Sequence, residues 1–543
     1  MTRQPQRRTR WRLPACAALV AAAVAAAPAF QAGSAEDPAL DAAFAAFWAA
    51  ESEQAVASAV DAILALDPAH DAVRSRLRAG REYAADAPTG RQVRSRRNRD
   101  GLEHEYVLQV PAAYDPRTPH PLRIYLHGGV MRPRPADGAW WRSEERWLRD
   151  DAIVVAPASW NESVWWQRSQ IENLAGLLGD LKRTYNIDEN RAYLMGVSDG
   201  ATGAYYHAFK AATPWAGFLL FIGHPAVLAN PSTGVDGEMH VANLRGKPLF
   251  VVNGAHDRLY PAAVVEPYVR LFAEAGIEVE FRPQPDAGHD LSWWDAEVEH
   301  VEAFFAATRR EPLPDELTWE TETTREFNRA HWLVVDELGA VEGESALAAF
   351  DRVTVPGPRR PLGINTVGEL PDGAGLVLVE VGTGSLAEDA GIEAGDVLLD
   401  MGGAPTRTAE AARDAILRIR PGQDLPVTVE RAGAPVRLTL RFPATQPGES
   451  RLAFSHSQPS GRVELRRDGN TVSAATRGVR RFTLLLSADQ FDLSRPVRVI
   501  TNGVVAHDGM VTQDAATLLR WAAVDWDRTA LFSAELEIEV VPR

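Results

Sequence analysis

From about residue 102 to residue 310 the chain alternates short apolar runs with amphipathic stretches. The runs Glu105 to Val110, Leu122 to Leu126, Ala152 to Ala156, Arg191 to Met195, Gly217 to Ile222, Pro248 to Asn253 and Glu278 to Arg282 have the length and composition of strands. Between them, Gln170 to Tyr185 and Ala262 to Ala275 keep helical spacing. This alternation predicts an α/β fold, a doubly wound and mostly parallel sheet with helices on both faces. Ligands of such sheets sit beyond the carboxyl ends of the strands, so the loops that follow strands are where chemistry is expected.

The rest of the chain reads differently. Residues 36–100 predict a helical N-terminal region with apolar Leu40, Phe44, Phe47 and Trp48, then Val56, Val60, Ile63 and Leu64, at helical spacing. Asp37-Pro38 and Asp67-Pro68 each supply an expected N-cap followed by a proline at the first helical position. The Arg-rich stretch from Ala87 to Gly101 reads as the connector into the α/β region, taken as 101–312. Residues 357–443 form a smaller unit of short strands (Gly375 to Val381, Asp396 to Met401), one helix (Thr408 to Ile419) and a hairpin (Leu425 to Phe442). Its flanks, 313–356 and 444–543, are expected to be one β-rich domain that this unit interrupts, with hairpin turns at Asp468-Gly469 and Asn502-Gly503.

Composition narrows the possibilities. With 543 residues, 45% hydrophobic and 24% charged, the chain has the balance of several globular domains. A net charge of −16 argues against a nucleic-acid partner, because phosphate neutralisation needs clustered Lys and Arg. Residues 1–35 read as a signal peptide. Arg3, Arg7, Arg8, Arg10 and Arg12 precede an Ala-rich run from Leu13 to Ala27, and small residues follow at 27–29 and 33–35. The alternative is a membrane anchor, although the run is shorter than a span needs. Removal of the segment would leave a secreted or periplasmic protein of bacterial type with no later membrane span. It would also remove the single cysteine, Cys16, and with it any disulfide or thiolate metal site.

The chemistry-bearing segment is Gly196-Val197-Ser198-Asp199-Gly200, directly after an apolar strand and before a helical stretch. In that context the GxSxG pattern makes a sharp strand-to-helix turn that presents the serine hydroxyl above the sheet. A serine hydroxyl is a weak nucleophile at neutral pH and needs a base and an orienting carboxylate in the chain order Ser, Asp or Glu, His. Asp257 follows the strand ending at Asn253, and His289 follows the one ending at Arg282. The assignment is therefore Ser198 as nucleophile, His289 as general acid and base, and Asp257 as the carboxylate that orients the imidazole. Asp286, Asp290 and Glu266 compete with Asp257, and His256 competes with His289. His224 either lines the cleft or satisfies a loop backbone. The oxyanion is expected to be held by the N–H of Asp199 and one from His127-Gly128-Gly129, with Gly128 and Gly129 both open as donors. Trp140, Trp141, Trp160, Trp165 and Trp166 form either an aromatic platform for substrate or core packing. No metal or other cofactor is implied.

Residues 102–307 resemble the α/β-hydrolase superfamily, and within it secreted polyhydroxybutyrate depolymerases and feruloyl esterases. The resemblance is carried by YLHGGV at 125–130, MGVSDGATGAYY at 195–206, VVNGAHDRLYP at 251–261 and DAGHDL at 286–291. It implies the same three residues, Ser198, Asp257 and His289, as the triad, while Ala201 stands where many relatives carry glycine. Residues 357–443 resemble a PDZ domain of bacterial exported proteases, through Pro361-Leu362-Gly363-Ile364 and SLAEDAGIEAGDVLLDMGG at 385–403. That resemblance implies a groove for a peptide carboxyl terminus, with Leu362, Gly363 and Ile364 as its carboxylate-binding loop. The alternative is an empty spacer.

These readings converge on a secreted serine hydrolase that cleaves carboxylic esters through an acyl-enzyme. Two alternatives stand beside it. One is a serine peptidase resembling the prolyl oligopeptidase type, and the other is a non-catalytic scaffold that binds through its PDZ and β-rich domains.

Overall fold

The computed structural model describes residues 37–543 apart from 135–146, 148, 356–360, 372–373, 418, 420–421 and 444–447. The expected signal segment 1–35, and with it Trp140 and Trp141, lie outside the described residues. Among the described residues no helix is long and apolar enough to cross a membrane.

Three helices open the described chain: α1 (Pro38–Ala49), α2 (Glu53–Leu64) and α3 (His70–Ala79). Asp37 caps α1 as expected, accepting from the N–H of Leu40 at 3.1 Å. Asp67 does not cap α3. It lies at φ 48 as the end of the preceding turn, its N–H bonded to Leu64 O, and the cap position falls at Ala69. Pro68 disfavours a right-handed helical conformation for the residue before it, which explains the displacement.

The central sheet holds β1 (Gly90–Arg97), β2 (Glu103–Val110), β3 (His120–Leu126), β4 (Ile153–Pro157), β5 (Ile187–Val197), β6 (Gly217–Phe221), β7 (Leu249–Gly254) and β8 (Val279–Gln284). Their order is β1-β2-β4-β3-β5-β6-β7-β8. The β1/β2 and β2/β4 pairs are antiparallel, and every later pair is parallel. This is the α/β-hydrolase architecture. The central strands are buried on both faces, which is why they read as continuous apolar runs. Leu122, Ile124, Leu126, Leu194 and Phe218 face the core under α4 (Arg168–Thr184), α5 (Asp199–Lys210) and α6 (Ala262–Glu274). Tyr125, Tyr193, Met195, Phe221 and Phe250 face the core under α7 (Trp294–Ala307).

Strand β1 corrects the reading of 87–101 as a connector. It has no apolar alternation, because its inward positions are long polar side chains laid across α4: Arg96 pairs with Glu172 at 2.9 Å and Arg94 donates to the Tyr185 hydroxyl at 3.2 Å. A charged edge strand of this kind discourages pairing with other chains.

After α7 come β9 (Glu316–Thr321), β10 (Arg329–Ala330), β11 (Leu333–Leu338) and β12 (Arg352–Val355). The unit that follows contains β13 (Ile364–Glu369), β14 (Leu376–Val381), α8 (Leu386–Asp389), β15 (Val397–Met401), β16 (Ala404–Pro405), α9 (Ala409–Leu417), β17 (Asp424–Arg431) and β18 (Ala434–Arg441). The chain returns through β19 (Glu449–Leu452), β20 (Gly461–Asp468), β21 (Thr471–Arg477), β22 (Val479–Leu486), β23 (Val497–Thr501), β24 (Val504–Gly509), α10 (Ala515–Asp525) and β25 (Ala534–Glu539). Strands from before and after the small unit share sheets: β24-β23-β21-β20-β9, β10-β11-β22-β25, and the two-stranded ribbon β12-β19. The hairpin turn at Asn502-Gly503 has both residues at positive φ, as a two-residue turn between β23 and β24 requires. Helices α1–α3 bury Leu40, Phe47, Ile63 and Leu77 against Leu518, Leu519 and Ala522 of α10.

Helix α5, which carries the segment after Ser198, contains a buried histidine with a thermodynamic signature. His207 is 1% exposed and its Nε2 has no hydrogen-bond partner among the described residues. Burial pushes its pKa down to about 3. The unfolded chain therefore takes up the proton first as pH falls below about 6.5, and stability is lost from there downward. His207→Leu removes this loss. Denaturant unfolding is expected to show a stability gain over the parent about 2 kcal/mol larger at pH 5 than at pH 7.5. An equal gain at both pH values would contradict the account.

Candidate active site

Ser198 sits at the join of β5 and α5 with φ 56 and ψ −120, a conformation that L-residues adopt only when their surroundings force it. The surroundings are two close backbone approaches. A Cβ at Gly196 would lie 2.1 Å from the carbonyl oxygen of Gly200, and a Cβ at Gly200 would lie 1.9 Å from that of Leu126. Only glycine fits either position, so the turn is held tight and the serine is carried above the end of the sheet. The Ser198 N–H is anchored to Phe221 O at 2.9 Å. Ala201 is fully buried in the first turn of α5, in room left by Gly223, whose added Cβ would meet Ala201 Cβ at 2.5 Å.

Asp257 and His289 reach Ser198 from the loops after β7 and β8. Those loops are joined by Ala255 N–H to Gln284 O at 2.7 Å and His256 N–H to Ala287 O at 3.0 Å. Ser198 Oγ lies 2.9 Å from His289 Nε2, and His289 Nδ1 lies 2.8 Å from Asp257 Oδ2. The other carboxylate oxygen of Asp257 accepts from the N–H groups of Leu259 at 2.7 Å and Tyr260 at 2.8 Å. Burial raises the Asp257 carboxyl, but the bonds from His289, Tyr260 and Leu259 outweigh it and hold the group below the usual carboxylate range. An ionised carboxylate only accepts, so Nδ1 carries the ring proton and the Nε2 lone pair faces the serine hydroxyl.

The competing residues lie elsewhere. Asp286, Asp290 and His256 are exposed, and Glu266 is exposed on α6. His224 caps a short 3-10 helix, Pro225–Ala229, by accepting from the Ala226 N–H at 3.3 Å. Its ring also packs against Tyr260 and Tyr268, and Tyr260 packs against His289. Trp160, Trp165 and Trp166 are buried. They pack in the core rather than forming an exposed platform, because their indoles line the two faces of the sheet.

On the opposite side of Ser198 runs His127-Gly128-Gly129. A Cβ on Gly128 would lie 3.0 Å from both Ser198 Cβ and Val197 O, so this backbone presses on Ser198. The sequence reading places His127 in the expected oxyanion segment but gives its side chain no role, yet that side chain orders this loop. Its Nδ1 lies 2.8 Å from Gly128 O, and its Nε2 accepts from the Ser159 N–H at 3.0 Å, which makes Nδ1–H the donor. Burial pushes its pKa down to about 4, so the ring stays neutral at neutral pH. With the Gly128 carbonyl turned to His127, the N–H of Gly129 on the same peptide points to the other side. The loop is fastened further by Trp165 Nε1–H to His127 O at 2.9 Å and by Val130 N–H to Asp199 Oδ2 at 3.0 Å. Within the described residues the N–H groups of Gly129 and Asp199 take no internal acceptor.

The small unit places Leu362, Gly363 and Ile364 just before and at the start of β13. Carbonyls of the preceding turn are taken by α8, with Leu386 N–H to Pro361 O at 3.1 Å and Ala387 N–H to Leu362 O at 3.0 Å. Gly363 has φ 84, and a Cβ there would collide with Ser385. The side chains of Leu362 and Ile364 pack on the core of the unit.

Residues 377–431 match the PDZ domain family. A protein of Synechocystis sp., HhoB, which carries a provisional serine-protease name, is 32% identical over 82 residues, 14% of this chain. The chain spans only 20% of that relative's length. A thermostable esterase of known structure is 20% identical and covers 40% of this chain and 63% of its own, with a TM-score of 0.33. Thermogutta terrifontis esterase 2 phosphorylated by paraoxon is 15% identical and covers 41% of this chain and 95% of its own, with a TM-score of 0.32. The fold assignment rests on strand order and on the turn at Ser198. The chain therefore combines an α/β-hydrolase fold with a PDZ domain, set between strands that belong to shared C-terminal sheets.

Proposed function

We propose that the protein is a serine hydrolase that cleaves carboxylic esters through an acyl-enzyme. The observation that carries this reading is the hydrogen-bonded series from Asp257 through His289 to Ser198, at the carboxyl ends of three parallel strands. His289 takes the hydroxyl proton as Ser198 attacks the ester carbonyl, and Asp257 stabilises the imidazolium that forms. The oxyanion is held by the N–H groups of Asp199 and Gly129, the latter on the open side of the peptide clamped by His127. His289 then protonates the departing alkoxide, and water repeats the sequence to free the acid.

A peptidase of the prolyl oligopeptidase type is the second reading, favoured by the matched PDZ segment. The same residues would serve it, with His289 protonating an amine instead of an alkoxide. We further propose that the PDZ groove takes a peptide carboxyl terminus on the N–H groups of Leu362, Gly363 and Ile364. The basic and Ala-rich segment 1–35 supports export to the periplasm or the medium. The proposed division is a helical region that ends before β1, the hydrolase domain from β1 to 312, the PDZ domain at 357–443, and one β-rich domain formed by 313–356 and 444–543.

A fluorophosphonate probe is expected to label Ser198, with adduct mapping by mass spectrometry and parallel kinetics on p-nitrophenyl, feruloyl and peptidyl substrates. Ester turnover is expected to fall at least about 10³-fold in Ser198→Ala and in His289→Ala, with circular dichroism unchanged. Turnover of peptides alone would move the reading to a peptidase, and absence of both label and turnover would favour the scaffold.

Gly128→Ala tests the oxyanion side. The added methyl meets Ser198 Cβ at 3.0 Å and Oγ at 3.6 Å, so the loop must withdraw from the nucleophile. kcat is expected to fall about 10²-fold, with little change in melting temperature. Undiminished kcat would remove this loop from the mechanism.

A further inference from the structure

Away from Ser198, three side chains from distant parts of the chain converge. One carboxylate oxygen of Glu238 and one ring nitrogen each of His240 and His456 lie within 4.8 Å of one another. Glu238 and His240 precede a short 3-10 helix, Val241–Leu244, that packs on α5 and β9. His456 lies four residues after β19, on the chain returning from the PDZ domain. The two imidazole rings stack at 4.9 Å with 5° between their planes.

The surrounding bonds orient these atoms as a metal site would. His240 Nε2 lies 3.1 Å from Glu322 Oε2. Glu322 is itself fixed by Lys210 Nζ at 2.7 Å and by the Glu238 N–H at 3.0 Å, with its side chain 4% exposed. As an ionised acceptor it keeps the proton on Nε2, so in the neutral ring the lone pair of His240 is on Nδ1. A carboxylate behind a histidine is the arrangement that orients metal-ligating imidazoles. Glu238 is held in the same manner. Its Oε1 accepts from the N–H and hydroxyl of Ser457 and the N–H of Gln458, leaving Oε2 3.2 Å from His456 Nδ1. Glu320 adds negative charge 3.8 Å from His240 Nδ1, but it is engaged by Ser460 and Arg477.

We propose that Glu238, His240 and His456 form a divalent transition-metal site, with Zn²⁺ as its ion, that clasps the returning chain to the hydrolase domain. Two imidazoles and one carboxylate are a donor set that suits zinc and its neighbours rather than calcium or magnesium, and a water completes four-coordination. Zinc ligands about 2.1 Å from the ion stand roughly 3.4 Å apart, so the three atoms, now within 4.8 Å of one another, must close by up to about 1.5 Å. The exposed His456 can supply that movement by tilting away from the stack. The clasp lies next to the place where the chain leaving the β12-β19 ribbon packs on the hydrolase core. There Ala453 O accepts from the Tyr268 hydroxyl at 3.2 Å, and Phe454 packs on Phe209 and Tyr268.

The test uses the full chain, stripped with a chelator and then titrated with Zn²⁺ by calorimetry and with Co²⁺ by visible absorption, with thermal unfolding followed alongside. One equivalent of Zn²⁺ per chain is expected, with the d–d spectrum of a four- or five-coordinate Co²⁺ ion and a melting temperature that rises with free metal. His456→Ala is expected to melt with the parent in chelator but to bind at least tenfold more weakly. Glu322→Gln keeps all three ligands and is expected to bind about tenfold more weakly, because His240 loses the carboxylate that orients its ring. His300→Ala, at an exposed position on α7, is expected to bind as the parent does. No stoichiometric binding at about 100 μM free Zn²⁺, or equal binding by the parent and His456→Ala, would overturn the proposal.

Discussion

The contact on which the rest of the site depends is made by backbone alone. The carbonyl of Leu126, at the end of β3, occupies the space a side chain at residue 200 would need, and that of Gly200 occupies the space a side chain at residue 196 would need. With glycine at both positions the first turn of α5 closes onto two strand ends, and Ser198 is left in a left-handed conformation above them. Position, exposure and strain of the serine follow from this one approach. The cost of the unusual φ is offset by the burial of the turn that follows, with Ala201, Ala204 and Tyr205 fully buried.

Around that point the polar groups are arranged in two tiers that differ in charge. On one side an ionised Asp257, fixed by two backbone N–H groups, determines which nitrogen of His289 carries the proton. On the other a neutral His127 fixes the orientation of a peptide and thereby of the Gly129 N–H. In the proposed mechanism the first tier meets a charge that appears during reaction, with Asp257 facing the imidazolium of His289. The second changes nothing about its own charge near neutral pH, which suits the fixed dipole that the proposed oxyanion site requires.

Much of this was legible in the residues. The parallel strands are buried on both faces, so their apolar runs stand out without alternation. The turn at 196–200 and the two loops with Asp257 and His289 each follow such a run, and the structure brings these three side chains together. What escaped reading lacked a local signal. Strand β1 is an edge strand with arginines where apolar residues would mark it. Asp67 has the composition of a cap, yet Pro68 directs it into a turn. His127 acts through the carbonyl of its neighbour, which no spacing rule reveals. The Glu238 and His456 contact joins positions 218 residues apart in sequence, and only the return of the chain from the PDZ domain makes them neighbours.

The central claim is that Ser198 is acylated and deacylated during turnover, with His289 and Asp257 supporting both steps. Rapid-quench mass spectrometry of the intact protein during p-nitrophenyl acetate hydrolysis observes this directly. The account predicts a transient acetyl adduct on Ser198, formed with a burst of nitrophenol equal to the enzyme concentration and decaying at the steady-state rate. Multiple turnovers with no burst and no adduct at Ser198, under conditions where deacylation is slowed by low pH, would contradict it.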